Sequence, residues 1–169
     1  IQRIQRDIPL QHIEAGVNKS NLRQFVEAEM KKHGDKCRCI RCREIGFKSL
    51  EGKIEIDEDD VGFDTLCYDA SGSSEVFISL VDKKDDYLIG YLRLRDIVCS
   101  HRSELQKAPC MIIRELKILG KELSLGQKNK KGWQHRGFGK ELVDEAERVC
   151  FEKFGKKSLF VLSGIGAKE

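Results

Sequence analysis

The feature that most limits what this chain can fold into is one continuous passage. An apolar segment, Met111 to Leu119, leads through a lysine-bearing loop into Gly132-Trp133-Gln134-His135-Arg136-Gly137-Phe138-Gly139-Lys140, and then into an amphipathic run from Glu141 to Phe154. β-Branched and long aliphatic residues favour a strand in the first part. Leu142, Val143, Ala146, Val149, Cys150 and Phe154 carry the helical period in the last. The spacing predicts strand, basic loop, glycine turn, helix, with Gly155 as the stop. Gly137 and Gly139 lack a Cβ, so the backbone can turn sharply and a ligand can approach the first-turn amides. Those amides have no partner within the helix, and the helix dipole adds positive charge where they point, so the turn suits a phosphate. Gly132 and Gly137 have the spacing of a P-loop, but Phe138 and Gly139 stand where its Lys and its Ser or Thr are required. A dinucleotide fingerprint would need a third glycine at Leu142.

Upstream, Glu75 to Val81 alternates, with Val76, Ile78 and Leu80 on one side and Phe77, Ser79 and Val81 on the other. After a polar turn, 82–86, Tyr87 to Arg95 returns as a second strand, giving an antiparallel hairpin. In that strand Leu88, Gly90, Leu92 and Leu94 are expected on one face and Tyr87, Ile89, Tyr91, Arg93 and Arg95 on the other. Ser71 to Ser74 is expected as a flexible connection, the acidic run Glu51 to Asp60 as a solvated loop and edge, and Ser158 to Leu162 as a last buried strand. Nearer the start, Ile1 to Pro9 has the pattern of an extended arm. Asn18 or Ser20 can cap a helix with Leu22, Phe25, Val26 and Met30 on its apolar stripe, Lys31 and Lys32 in the last turn and Gly34 as its stop.

Seven cysteines is an odd number, and Cys37, Cys39 and Cys42 crowd too closely for ordinary disulfides. They interleave with Arg38, Arg41 and Arg43, and arginine favours the thiolate that binds zinc. Three ligands of an intracellular tetrahedral site fit, with the fourth open; His33 reads better as a solvated helix terminus. The alternative is three reduced thiols in a turn. Charge is mixed in sign with a net of only +3, so overall charge does not establish a nucleic-acid partner. No run of 18 apolar residues and no signal-peptide pattern occurs, so a soluble protein with no membrane partner is expected. The first residue is Ile, which suggests a start inside a longer protein.

Gln134, Arg136, Gly137, Phe138 and Gly139 match the Gln/Arg-x-x-Gly-x-Gly/Ala signature, and the passage resembles the phosphate loop of the GNAT acetyltransferases. The order hairpin, strand, loop, helix, strand is similar to theirs. Around it stand Ile4-Gln5-Arg6-Asp7-Ile8-Pro9, Asn21-Leu22-Arg23, Arg43-Glu44-Ile45-Gly46, Ile89 to Arg95, Ile113-Arg114-Glu115-Leu116, Glu145-Ala146-Glu147-Arg148 and Ser163-Gly164-Ile165-Gly166. Together these resemble the C-terminal half of the Elongator catalytic-subunit family of tRNA acetyltransferases, over nearly the whole chain.

The resemblance implies an α/β (α+β) GNAT fold with a mixed, mostly antiparallel sheet at 51–169, after a helical, zinc-binding segment at 1–50. It implies a cytoplasmic protein using acetyl-CoA to modify the wobble uridine of tRNA, ending in a carboxymethyl group on carbon 5. The family's radical chemistry comes from an N-terminal domain with S-adenosylmethionine and an iron-sulfur cluster, and this sequence lacks that domain's Cys-x3-Cys-x2-Cys triad. The family continues past Ser163 to Gly166 with a pair of tyrosines, one beside the thioester, whereas this sequence stops at Glu169, so independent turnover is not expected. Carried over residue by residue, the coenzyme would be held by Glu115, Leu116, Lys117 and Ile118 on the strand. On the loop it would be held by Gln134, His135, Arg136, Gly137, Phe138, Gly139 and Lys140. The strand would act through a bulged, open edge whose free backbone groups pair with the pantetheine arm. Glu115 could act as a base, but for a strand Glu next to Arg114 an ion pair, a solvated position or a backbone contact to pantetheine are alternatives. The expected tRNA face is Arg3, Arg6, Lys31, Lys32, Arg38, Arg41 and Arg43, binding phosphate in a salt-dependent way. Two other functions fit the same residues: a zinc-stabilised RNA-binding module without coenzyme affinity, and a protein lysine (histone) acetyltransferase.

Overall fold

The structure is a computed structural model and describes residues 9–16, 18–52, 54, 56–120 and 137–164. Its centre is a five-stranded sheet in the order β1-β2-β3-β4-β5, made of β1 Val61–Ala70, β2 Ser73–Asp82, β3 Leu88–Ile97, β4 Cys110–Ile118 and β5 Ser158–Val161. The first four strands are antiparallel in sequence, and β5 lies parallel to β4. The parallel pairing follows from the helix that returns the chain to the same end of the sheet. A mixed, mostly antiparallel sheet was the expected fold, and it is the one observed.

Helix α4, Phe138–Arg148, continues through a wider turn, Val149–Lys153, and covers one face of the sheet. Leu142, Ala146, Val149 and Cys150 pack there against Val76, Ile78, Leu80, Leu92, Leu94, Met111 and Ile113, forming the core. The α4 stripe therefore buries as the sequence predicts, and Gly155 (φ +60°) ends it. Before the sheet come α1 Leu22–Lys32, α2 Ile40–Arg43 and α3 Ile45–Glu51. Helix α1 stops at Gly34 (φ +77°), but Asn21, not Asn18 or Ser20, stands at its N-cap position.

Three expectations change. Strand β1 was not read from the sequence, and Ser71 and Gly72, at φ 49° and 71°, form a tight two-residue turn joining it to β2. That is the turn a right-twisted hairpin favours, so the segment is no loose connection. In β3 the alternation breaks. Leu80 pairs with Gly90 and Val81 with Leu88, so Ile89 is an extra residue. This bulge turns Leu88 onto the same face as Tyr91 and Val81, and Ile89 joins the α4 core instead. Finally, β5 is only half covered. Val161 and Leu162 are 64% and 65% exposed, because β5 is the outer strand and accompanies β4 for four residues only.

The face of the sheet away from α4 receives the cysteine segment. Ile40 packs on Val81, Leu88 and Tyr91, and Glu44 bridges to Leu88. Asp86, in the β2–β3 turn at φ 60°, accepts two bonds from Arg38 (3.1 and 3.2 Å) and two from Arg43, of 2.6 Å to its carboxylate and 3.2 Å to its carbonyl. Gly46 lies so close to Gly120 that a Cβ would come within 3.0 Å of its Cα.

Candidate functional site

Strands β4 and β5 part company. Their pairing runs from Cys110 with Ser158 to Ile113 with Val161, closed by a Leu162 N–H to Ile113 carbonyl bond of 3.0 Å. Beyond Ile113, among the described residues, Glu115 to Ile118 of β4 pair with β3 alone. Arg93 pairs with Glu115 and Leu94 with Ile113, so Arg114 is a bulged residue at the point where the two strands diverge. Among the described residues nothing pairs with this edge of Glu115, Leu116, Lys117 and Ile118, and Leu116 beside it is 38% exposed.

The start of α4 lies next to that edge. Gly137 caps the helix at φ +94°, a conformation that a side chain would strain. Its carbonyl takes the N–H of Lys140 (2.8 Å) and of Glu141 (3.1 Å). A Cβ on Gly137 would meet nothing within 4 Å, and one on Gly139 would meet only Ile118 Cγ1 at 3.9 Å. Among the described residues the helix end is therefore unobstructed. Gln134, His135 and Arg136 lie outside the described residues, as do the lysines at 121–131.

Glu115 is engaged on the opposite face. It accepts from Tyr91 Oη at 3.0 Å and pairs with Lys117 at 2.6 Å and Arg93 at 3.6 Å. Burial opposes its charge, but the bonds from Lys117 and Tyr91 and the Arg93 charge hold its carboxyl below the usual range. Such a carboxylate is a weak base, and the ion-pair alternative matches the geometry. Residues not foreseen as site residues join it there. Glu75, 2% exposed, accepts from Arg93 (3.0 Å), Arg95 (3.1 Å), Arg114 and Tyr68 (3.0 Å). The signal was a pair of arginines at alternate positions of β3, but nothing local in the sequence revealed their shared anion.

Cys37, Cys39 and Cys42 converge, with their Sγ atoms all within 4.8 Å of one another. Thiolates on one tetrahedral zinc lie roughly 3.8 Å apart for Zn–S bonds of about 2.3 Å, so the three donors fit such an ion. Burial first, then its two neighbours, push the Cys42 thiol up to about 12. At Cys39 burial is outweighed by bonds from Cys42 and Cys37 and by the Arg23 charge, so its thiol falls below the ordinary value. Arg23 donates to Cys42 Sγ at 3.0 Å and pairs with Glu27 at 2.7 Å. His33 is not in the cluster; it lies 3.4 Å from Glu29 and is 69% exposed.

Of the residues expected to face tRNA, Lys31, Arg38, Arg41 and Arg43 line an open bowl of about 1010 Å³ beside the cysteines. Arg41 stacks over the exposed Phe47 ring at 4.5 Å. Arg38 and Arg43 are bound to Asp86, and Arg43 is largely buried. Lys32 pairs with Glu29 and is not part of the bowl wall. Arg3 and Arg6 lie outside the described residues.

No protein-family model matches the chain. It is 45% identical over 168 residues to the tRNA uridine(34) acetyltransferase of Methanocaldococcus jannaschii, covering 99% of this chain and 31% of that protein. It is 40% identical over 172 residues to Elongator complex protein 3 of Schizosaccharomyces pombe, again covering 31% of the relative. The solved structure of the archaeal Methanocaldococcus infernus Elp3 with an N-terminal deletion superposes with a TM-score of 0.79 at 45% identity. That match covers 97% of this chain and 38% of the other. Over nearly its whole length the chain is therefore homologous to the proteins named tRNA uridine(34) acetyltransferase and Elongator complex protein 3. It spans about a third of the length of the curated relatives it matches. Relatives named tRNA uridine(34) acetyltransferase are acyltransferases by name. Among the described residues no helix is long and apolar enough to cross a membrane.

Proposed function

We propose that this chain is the acetyl-CoA-binding part of an acetyltransferase that acts on the wobble uridine, uridine 34, of tRNA, its product carrying a carboxymethyl group on carbon 5. The observation that carries the reading is the parting of β4 from β5 beside a start of α4 that is unobstructed among the described residues. An extended, amide-bearing pantetheine arm can pair as a strand with the open backbone of Glu115, Leu116, Lys117 and Ile118. The coenzyme's diphosphate then meets the first-turn amides of α4 and the loop from Gln134 to Lys140. When bound, acetyl-CoA supplies an activated acetyl group. What the protein's own residues do is hold that group beside the Arg114 bulge and keep Glu115 ionised through Tyr91 and Lys117.

Residues 51–169 form the coenzyme domain in this reading. Residues 1–50 form a segment in which Cys37, Cys39 and Cys42 hold zinc, and its basic bowl, with Lys31 and Arg41 foremost, faces tRNA. The radical step belongs to an S-adenosylmethionine and iron-sulfur domain elsewhere in the protein, and the site of action is the cytoplasm. Calorimetric titration with acetyl-CoA, on the protein at its natural length, tests the coenzyme site: Gly137→Asp should weaken binding at least tenfold. Undiminished binding by that variant would exclude the α4 site. Acetyl transfer measured on tRNA and on histone peptides decides the acceptor, with tRNA the expected one.

A further inference from the structure

The second face of the sheet carries a cluster that neither coenzyme binding nor metal binding uses. Glu75 is buried, and its four acceptor positions are filled by Arg95 and Arg114 on Oε1 and by Arg93 and Tyr68 on Oε2. Three guanidinium groups therefore converge on one carboxylate. With Glu115 and Lys117, which join through Arg93, the group still carries a net charge of +2. A single arginine would have neutralised Glu75. Bringing two more cations to it costs like-charge repulsion, which a second anion on the outer side would relieve.

The outer side is accessible. Arg114 is 41% exposed and Arg93 33%, while Arg95 is anchored further by a 3.0 Å bond to the Ser71 carbonyl. Among the described residues Arg114 commits one N–H, to Glu75, and leaves its other donors outward. Ile113 packs in the α4 core, so alternation turns Arg114 to the opposite face, and the bulge keeps Glu115 on that same face beside it. The cluster thus borders the same point of β4 at which an acetyl group would lie, but on the face opposite to α4. A diphosphate at the start of α4 cannot be the missing anion.

We infer that Arg93, Arg95 and Arg114, positioned by Glu75, form a phosphate-binding site for a phosphodiester of the acceptor RNA, next to the reacting end of the coenzyme cleft. The inference rests on the proposal that the acceptor is an RNA. Guanidinium forks suit phosphate oxygens in pairs, and a buried carboxylate fixes them in advance, which lowers the cost of ordering them on binding.

The test titrates tRNA, inorganic phosphate and acetyl-CoA against the natural-length protein and its Arg114→Gln and Arg114→Lys variants, at several salt concentrations. For tRNA, loss of one phosphate contact should reduce the slope of log affinity against log salt by roughly 0.7 to 1. At about 0.1 M salt that is about a five- to tenfold loss. Arg114→Lys should recover the slope, and acetyl-CoA affinity should stay unchanged in both variants, which shows them folded. An unchanged tRNA slope in Arg114→Gln overturns the site, as does loss of phosphate or acetyl-CoA binding with tRNA binding intact. Failure of the unsubstituted protein to bind tRNA at all would instead remove the RNA reading beneath it.

Discussion

Gly90 is the residue through which packing and the coenzyme strand are most directly coupled, and Gly90→Ala is the substitution that exposes it. A Cβ there would lie 2.8 Å from Ile118 Cδ1, 3.0 Å from the Lys117 carbonyl oxygen and 3.2 Å from Leu142 Cδ1. The Ile118 tip can rotate away. The Lys117 carbonyl is backbone, and Leu142 is fully buried in the α4 interface, so β4 and α4 must both give by a few tenths of an ångström. Overpacking of this kind costs about 1–3 kcal/mol. For a chain of 169 residues this corresponds to a fall in Tm of roughly 3–10 °C. Gly62→Ala is the control, because its new Cβ meets only the flexible Lys83 side chain, at 3.0 Å. Thermal unfolding by circular dichroism should show a clear drop for the first variant and little change for the second, and calorimetry should show weaker acetyl-CoA binding for the first alone. Equal Tm values for the two would refute the argument that strand β4 and helix α4 are held at contact distance through Gly90.

Other consequences concern charge and metal. Burial alone would raise the Glu75 carboxyl, but bonds from Arg93, Arg95, Tyr68 and Arg114 bring it down to about 2 from an ordinary 4.5. Because the folded value is depressed, its contribution of about 3 kcal/mol is complete above pH 4.5 and is lost as pH falls toward 2. Acid unfolding followed by fluorescence should lose that component in Glu75→Gln, and an unchanged acid profile would contradict it. Zinc added to metal-free protein should raise Tm and release protons, since binding needs thiolates at Cys37, Cys39 and Cys42. Cys42→Ser should abolish most of both effects, and retention of both in the variant would exclude the cluster. Asp86→Ala removes the partner of Arg38 and Arg43, so limited proteolysis should cut the cysteine segment faster while α4 remains protected. Equal cutting rates would show that this pairing does not hold the segment on the sheet.

What could be read from the sequence followed local periodicity. Helix α4, strand β4 and the β2–β3 hairpin each announce themselves by spacing, and the three cysteines by crowding. Strand β1 did not, because Gly62, Asp64 and Asp69 interrupt its pattern and it forms a half-exposed edge behind an acidic run. The parity of β3 was misread at Leu88 and Ile89, since a bulge depends on the partner strand and leaves no local mark. Long-range electrostatics were hidden altogether. Glu75 looks like a strand boundary until Arg93, Arg95 and Arg114 are brought to it, and Arg38 and Arg43 look like free cations until Asp86 claims them. The open edge at Glu115 to Ile118 was anticipated from family resemblance rather than from spacing, because strand divergence is a property of two segments some forty residues apart.

The most direct test of the coenzyme cleft is amide hydrogen exchange on the natural-length protein with and without saturating acetyl-CoA. Slowed exchange is expected at Glu115 to Ile118 and at Phe138 to Lys140, with the edge of β1 unchanged. Protection confined to other segments while the coenzyme is demonstrably bound would contradict it.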